Sequence, residues 1–463
     1  MSVSSRNDRS IGLPREDRLA LSPVWVVPAA ALIIALLYGR CVRFPFFYDD
    51  LFLLRPLSQW SFLGLSPMGD YWRPLWTLWM SIEYQLFGLH PGIMHLLSLG
   101  LHAVNCWLVV SLVGRQAGWR IAWATVVVWT LLCGNAYPIV WISACNDLFA
   151  MLFLLLATRV WIGSGGATPS LGRAAAASLL WLTSMLFKEV SLVWPVAALA
   201  YWAWRRRGIG GTHPQASRLA LVLPLLALSA YAVGRRLALG QTAGFSALSR
   251  SNLRTVSLPI LLASRVVHYF EALLYHVLPL DQFQTWGGLV AGTVLTAAFV
   301  VVLLATWRVA PAPARPWLAW SVVWILAFSL HGTFNPLPRG LYIPSLGTAA
   351  VIGILFSTSD LFSRWLPRAA LGAYLLMHSY LGQEAADYHS EASLSTRMHA
   401  AQLLVGNDAL MKPDTITPDK AAYLRDFLRY QDVAALSRWK EKDPVWRSTL
   451  RRLFARVSGR DRG

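Results

Sequence analysis

Two adjacent carboxylates, Asp49 and Asp50, stand at the exit of an apolar run that ends Phe46-Phe47-Tyr48. Neighbouring carboxylates repel, which raises the pKa of one and suits it to take a proton. The pair therefore reads as a general base for a hydroxyl nucleophile, with the second carboxylate orienting the acceptor or holding a cation. A helix cap beside a solvated acid is the plainer reading of the same residues. Arg73 follows in Tyr71-Trp72-Arg73-Pro74-Leu75, where a proline starts a helix. An arginine at a helix start is a good partner for an anionic phosphate, and an interfacial one also serves as a headgroup anchor.

His95, Ser98, His102 and Asn105 recur at i, i+3, i+7 and i+10, one polar stripe down a single helix. Interhelical hydrogen bonding accounts for such a stripe as well as catalysis does. Its spacing also suits a metal, but no acid joins it in sequence, so a metal is not the first choice there. A divalent cation, Mg or Mn, stays open as a cofactor at the Asp pair. Asn146-Asp147 opens a long apolar helix, where capping is the ordinary role. Lys188-Glu189 breaks an apolar stretch from Leu171 to Trp204 and reads as a self-neutralising pair. Arg339 sits in Pro338-Arg339-Gly340-Leu341-Tyr342-Ile343-Pro344-Ser345, just outside another apolar run.

The elements that carry these residues are membrane helices. The chain has 463 residues, 56% hydrophobic and 14% charged, and several uninterrupted apolar runs approach the ~20 residues that cross a bilayer. Such runs are not the alternating strands of a membrane barrel, and helices alone satisfy their own backbone in lipid. The 41 Lys and Arg against 23 Asp and Glu fall largely in short inter-helix loops, where they report topology rather than nucleic-acid binding. The 23 tryptophans fit interfacial belts and aromatic-lined grooves. The four cysteines have no metal-binding spacing and read as packing.

Taken in order, residues 1–20 are a cytoplasmic basic tail and the run Leu21 to Tyr38 is an uncleaved anchor. The outer loop then carries the Asp pair and an amphipathic helix over Trp72 to Leu86 lying on the outer leaflet. Further spans are expected at Ile93 to Leu112, Ile121 to Cys133 and Ile139 to Val160. Two charges at mid-bilayer are expensive, so Leu171 to Trp204 is read as a helical hairpin with Lys188-Glu189 at its outer turn. Spans follow at Leu219 to Val233, Gly287 to Thr306, Trp317 to Leu330, Leu341 to Phe356 and Ala369 to Leu381. With the stretch Leu258 to Leu278 undecided between a submerged helix and a hairpin, the total is about eleven spans. This topology puts every candidate residue on one side of the membrane.

The ordered set DD, a Trp-Arg-Pro-Leu segment, FGLHPGIMHLLSLGLHAVN, ND-LFAMLFLLLA, FKE and RGLYIPSLG resembles membrane glycosyltransferases of the GT-C fold. The likeness is to the protein O-mannosyltransferase group, especially the branch that carries transmembrane spans with tetratricopeptide repeats in animals. It covers Tyr48 to Gly353. The resemblance implies that Asp49 or Asp50 activates the acceptor hydroxyl and that Arg339 contacts the donor phosphate. It also aligns Lys188-Glu189 with the family's Lys-Glu pair. Gly340 departs from the expected bulky residue, and no tetratricopeptide array follows the last span.

The expectation is thus an all-α polytopic membrane protein, a GT-C-type bundle with an outer catalytic loop (residues 40–91) in a transmembrane domain (21–381) and a polar helical C-terminal tail (382–463). It would move a hexosyl or pentosyl group from a polyprenyl-phosphate sugar to a hydroxyl of a protein, glycan or lipid acceptor, with inversion. The active site would face the periplasm or exterior of a cytoplasmic (inner) membrane. Asp49 and Asp50 would be catalytic, and Arg73, Lys188 and Arg339 would bind phosphate. His95, His102, Asn105, Asp147, Glu189 and Tyr342 would line the substrate groove. The competing class is a transporter or flippase of lipid-linked sugar, which would show more charge within its spans and repeat symmetry.

Overall fold

The computed structural model describes residues 25–44, 50, 71–88, 90–132, 135–163, 170–208, 218–240, 267, 269, 286–331, 341–358, 372 and 376. Asp49 and Arg339 lie outside these residues, as do the basic N-terminal tail and residues 382–463. Of the expected last span and the undecided stretch only isolated positions are described. Every regular element described is helical: α1 (Val26–Tyr38), α2 (Pro74–Phe87), α3 (Pro91–Ala117), α4 (Trp119–Leu131), α5 (Ala136–Val140), α6 (Cys145–Ile162), α7 (Leu171–Phe187), α8 (Trp194–Gly208), α9 (Arg218–Leu239), α10 (Trp286–Val309), α11 (Arg315–His331) and α12 (Tyr342–Thr358). Short 3-10 turns occupy Gly39–Arg43, Ile142–Ala144 and Glu189–Val193.

Three stretches, Pro91–Ala117, Ile142–Ile162 and Val222–Leu239, are long and apolar enough to cross a bilayer. Shorter apolar helices stand beside them. The chain is an integral membrane protein. Its exposed side chains fit that solvent: Leu96, Val104, Leu225, Leu226, Leu237 and Val301 all face outward.

The core is built by α3, α4, α6, α7, α11 and α12, with tryptophans as its largest members. Trp129, Trp181, Trp194, Trp317, Trp320 and Trp324 are fully buried. Several of them join packing to a polar bond, as their indole N–H requires in an apolar surrounding. Trp324 Nε1 donates to the Ile343 carbonyl at 2.7 Å, and Trp194 Nε1 donates to Thr158 Oγ1 at 2.8 Å. α12 approaches its neighbours very closely. A Cβ placed on Gly353 would lie 2.6 Å from Thr125 Oγ1, and one on Gly347 would lie 2.7 Å from the Ser321 carbonyl oxygen.

One stretch differs from the sequence reading. The span expected over Ile139 to Val160 is not one helix. α5 ends at Trp141, whose backbone is extended (φ −98, ψ 113), and a 3-10 turn precedes α6. The stretch Leu171 to Trp204 is broken where expected: α7 ends at Phe187, Lys188 is extended (φ −158, ψ 129) and a 3-10 turn leads into α8. That break is held by side chains. Trp181 Nε1 donates to the Ser191 carbonyl at 2.6 Å, and Ser184 Oγ lies 2.6 Å from Ser191 Oγ.

Candidate active site

The site grows from the broken ends of these helices. Pro74 starts α2 and leaves Arg73 at its N-cap, directed toward the α7–α8 break. There the Arg73 guanidinium grips Glu189 in a fork, Nε to Oε2 at 2.7 Å and Nη2 to Oε1 at 2.5 Å. The adjacent Lys188 turns the other way and donates to Asp147 Oδ2 at 2.5 Å, in the first turn of α6. Lys188 and Glu189 are therefore not a self-neutralising pair. Each neutralises a partner distant in sequence, because the extended backbone at Lys188 sends consecutive side chains to opposite sides. Asp147 likewise does more than cap: Ala144 holds the N-cap position of α6 without a side-chain bond.

Asp50 closes the other flank. It is fully buried, and its Oδ1 accepts the Ser143 backbone N–H at 2.7 Å. The break between α5 and α6 frees that N–H from the helix ladder, so the carboxylate meets a donor that a continuous helix would have consumed. Cys145 sits between the two flanks: its sulfur is within electrostatic reach of Glu83, Asp50 and Asp147 and packs 3.8 Å from Met80 Sδ. One cluster thus gathers residues from the loop before α2, from α2, the α5–α6 break and the α7–α8 break.

The electrostatics follow from burial. Loss of water works against the Arg73 charge, yet Glu189, Tyr71 and Asp147 outweigh it and hold the guanidinium above its ordinary value. Burial pulls the Lys188 ammonium below the ordinary lysine range, against the pull of Asp147. Glu83 is the group that the sequence reading missed. It is 2% exposed, its Oε2 has no hydrogen-bond partner, and burial, with the Asp50 charge adding to it, pushes its carboxyl up to about 8. A sign of this was present. Trp76, Met80 and Glu83 fall on one face of α2 by helical spacing, so the apolar face of the amphipathic helix carries an acid inward.

α9 adds two more side chains that sequence reasoning left aside. Tyr231 feels the charges of Glu189 and Arg73, and its hydroxyl receives a long hydrogen bond from Arg235 Nη1 at 3.4 Å. The approach depends on Gly234, since a Cβ there would sit 2.4 Å from the Trp72 ring. Trp72 in turn packs on Tyr231, ring centroids 5.6 Å apart.

The polar stripe on α3 splits. Its members are all buried. His95 meets the Phe44 ring edge-on at 6.5 Å, beside the 39–43 turn. His102 and Asn105 instead join Tyr342 at the start of α12. Asn105 Nδ2 donates to Tyr342 Oη at 3.1 Å and to the Leu148 carbonyl at 2.9 Å, and Tyr342 Oη lies 2.8 Å from His102 Nδ1. A Tyr342 hydroxyl that accepts from Asn105 and donates to Nδ1 makes the directions of the two bonds consistent, with Asn105 Oδ1 left without a partner among the described residues. The trio is a neutral network next to the charged cluster, touching it through Leu148, the neighbour of Asp147. Among the described residues no group of three or more His, Cys, Asp and Glu side chains is arranged to hold a metal ion.

Chemically, the cluster offers cations with donors to spare. Arg73 spends Nε and Nη2 on Glu189, leaving Nη1, and the Lys188 ammonium has three N–H donors with one directed at Asp147.

No protein-family model matches the chain, and neither does any curated protein. Among solved structures, the chain is similar to the crystal structure of ArnT from Cupriavidus metallidurans bound to undecaprenyl phosphate, with a TM-score of 0.46 at 16% sequence identity, over 89% of this chain and 76% of that chain.

Proposed function

We propose that the chain is a membrane glycosyltransferase of the GT-C kind that takes its sugar from a polyprenyl phosphate. The observation that carries this reading is the juxtaposition of Arg73 and Lys188 with Asp50 and Glu83 around Cys145, four separate segments of sequence converging at one end of the bundle. Phosphate-binding cations beside buried carboxyls are what a displacement at a phosphate-bearing anomeric carbon requires. The ordered motifs from Asp49-Asp50 to Arg339-Gly340-Leu341-Tyr342 support the same reading.

In the proposed reaction an acceptor hydroxyl oxygen attacks the anomeric carbon as the bond from that carbon to the phosphate oxygen breaks. The base, Asp49 or Asp50, takes the hydroxyl proton, and the electron pair leaves with the polyprenyl phosphate. Arg73 Nη1, the remaining Lys188 donors and Arg339 stabilise the charge that grows on the leaving phosphate. The Ser143 N–H fixes one oxygen of Asp50, so that its carboxylate needs no reorientation during the reaction. Glu83, protonated at neutral pH, keeps a third negative charge away from Asp50 and Asp147. Tyr342, His102 and Asn105 hold the start of α12, three residues beyond Arg339, against α3 and α6. The transmembrane domain over residues 21–381 would hold the whole site, with the tails 1–20 and 382–463 outside it.

The test is transfer by the purified protein in liposomes, with a panel of radiolabelled polyprenyl-phosphate hexoses and pentoses and the host membrane fraction as acceptor. The variant carrying both Asp49→Asn and Asp50→Asn is expected to lose at least ~10²-fold in rate. The single variants separate the base from its orienting partner. Unchanged transfer in the double variant would sink the mechanism. Movement of labelled lipid between leaflets without transfer would favour the flippase reading.

A further inference from the structure

The opposite end of the bundle carries charge of another kind. α6 runs from Asp147 in its first turn to Arg159 in its last, about 18 Å along the axis at 1.5 Å per residue. Arg115 stands in the last turn of α3, and its charge repels that of Arg159. Among the described residues no carboxylate pairs with either guanidinium. A helix C-terminus favours one cation. It gives no reason for two neighbouring arginines to stand at the edge of an apolar bundle with no carboxylate beside them among the described residues.

Arg159 is also held in a fixed pose. Its Nη1 donates to Ser111 Oγ at 2.8 Å, and Ser111 directs its own hydrogen to the Leu108 carbonyl at 3.1 Å. The guanidinium carbon lies 5.8 Å from the Trp107 ring centroid. Above Trp107, one exposed seam climbs α3 through Val104, Gly100, Leu96 and Ile93. These residues repeat at helical spacing and face outward, so in a membrane they meet acyl chains. A tail-lined seam that ends in two guanidiniums, neither paired with a carboxylate among the described residues and one of them pre-oriented, has the form of a lipid site with a charged head.

We infer that Arg115, Arg159, Ser111 and Trp107 form a binding site for an anionic phospholipid whose headgroup sits at the end of α6 away from the carboxylate cluster. The headgroup phosphate bridges the two guanidiniums and relieves their repulsion. One acyl chain follows the seam from Trp107 toward Leu96. The occupant is a phospholipid rather than a second donor lipid, because the seam leads along the outside of α3 and the charged cluster lies inside the bundle. This inference does not depend on the reaction proposed above.

The test is native mass spectrometry of the full-length protein in detergent, titrated with cardiolipin, phosphatidylglycerol, phosphatidylethanolamine or a polyprenyl phosphate. The wild type is expected to hold cardiolipin or phosphatidylglycerol at least tenfold better than phosphatidylethanolamine. The Arg115→Gln/Arg159→Gln pair should lose that preference tenfold. Arg120→Gln, an exposed arginine at the same end, should keep it. The melting temperature in detergent checks that the pair folds. Equal retention of all lipids by the wild type overturns the inference. So does an equal loss on Arg120→Gln, which would mean diffuse charge, or a preference for the polyprenyl phosphate over both phospholipids.

Discussion

The two ends of α6 handle charge in opposite ways. At its start, Asp147 is answered by Lys188, and the neighbouring Arg73 by Glu189, all within the protein. At its finish, Arg159 and Arg115 face each other with a serine and an indole for company. The difference follows depth. Charges taken out of water need partners supplied by the fold itself, whereas charges at the rim can leave their neutralisation to the surroundings. The first end is thereby tied to the integrity of the bundle, and the second to what the membrane contains.

That contrast can be broken most directly at Lys188. Lys188→Met strips Asp147, which is almost fully buried, of its ammonium and is expected to destabilise the protein by roughly 3–5 kcal/mol. The Lys188→Met/Asp147→Leu double variant should recover most of the loss. Thermal unfolding of both in the same detergent is the measurement, and a double variant no better than the single would mean that the pair is not the unit of stability.

A middle-sized effect is expected at Glu83. Its carboxyl is held at about 8 in the folded protein against an ordinary 4.5, so between these values the folded state binds more protons than the unfolded one. Its contribution to stability is complete below about pH 4.5 and declines as pH rises to about 8. Glu83→Gln should flatten that decline, read as melting temperature against pH. A decline of the same slope in the variant would assign the pH dependence to another group.

The smallest effect belongs to the far end. Arg159→Gln and Arg115→Gln are expected to change stability in detergent by no more than ~0.5 kcal/mol, as rim charges do. A loss comparable with that of Lys188→Met would erase the distinction between the two ends.

Much of the helical scaffold was legible in the sequence, because a bilayer demands long apolar runs and punishes charge within them. Lys188-Glu189 marked a break between helices on that ground alone. What the two residues do there was not legible. Side-chain direction at the turn depends on one extended residue, and the partners Arg73 and Asp147 come from elsewhere in the chain. The break before α6 was hidden for a related reason. Residues 139–160 read as one apolar run, and only Pro138 and the later need of Asp50 for a donor distinguish it from a continuous helix. Glu83 was visible as an acid on an apolar face, but its proximity to Asp50 is a product of packing. His95 and His102 shared a stripe in sequence and part company in space, since a full-length span passes several different neighbours.

The close seating of Gly347 and Gly353 has a mechanical consequence. With no room even for a methyl group on either side, α12 cannot slide or roll without striking α4 or α11. It forms a stiff wall. α9 and α10, by contrast, turn many of their side chains to lipid, including Leu225, Leu226, Leu237, Val290, Val294 and Leu304. The bundle thus sets a wall locked on its neighbours against a flank whose outer faces meet only acyl chains.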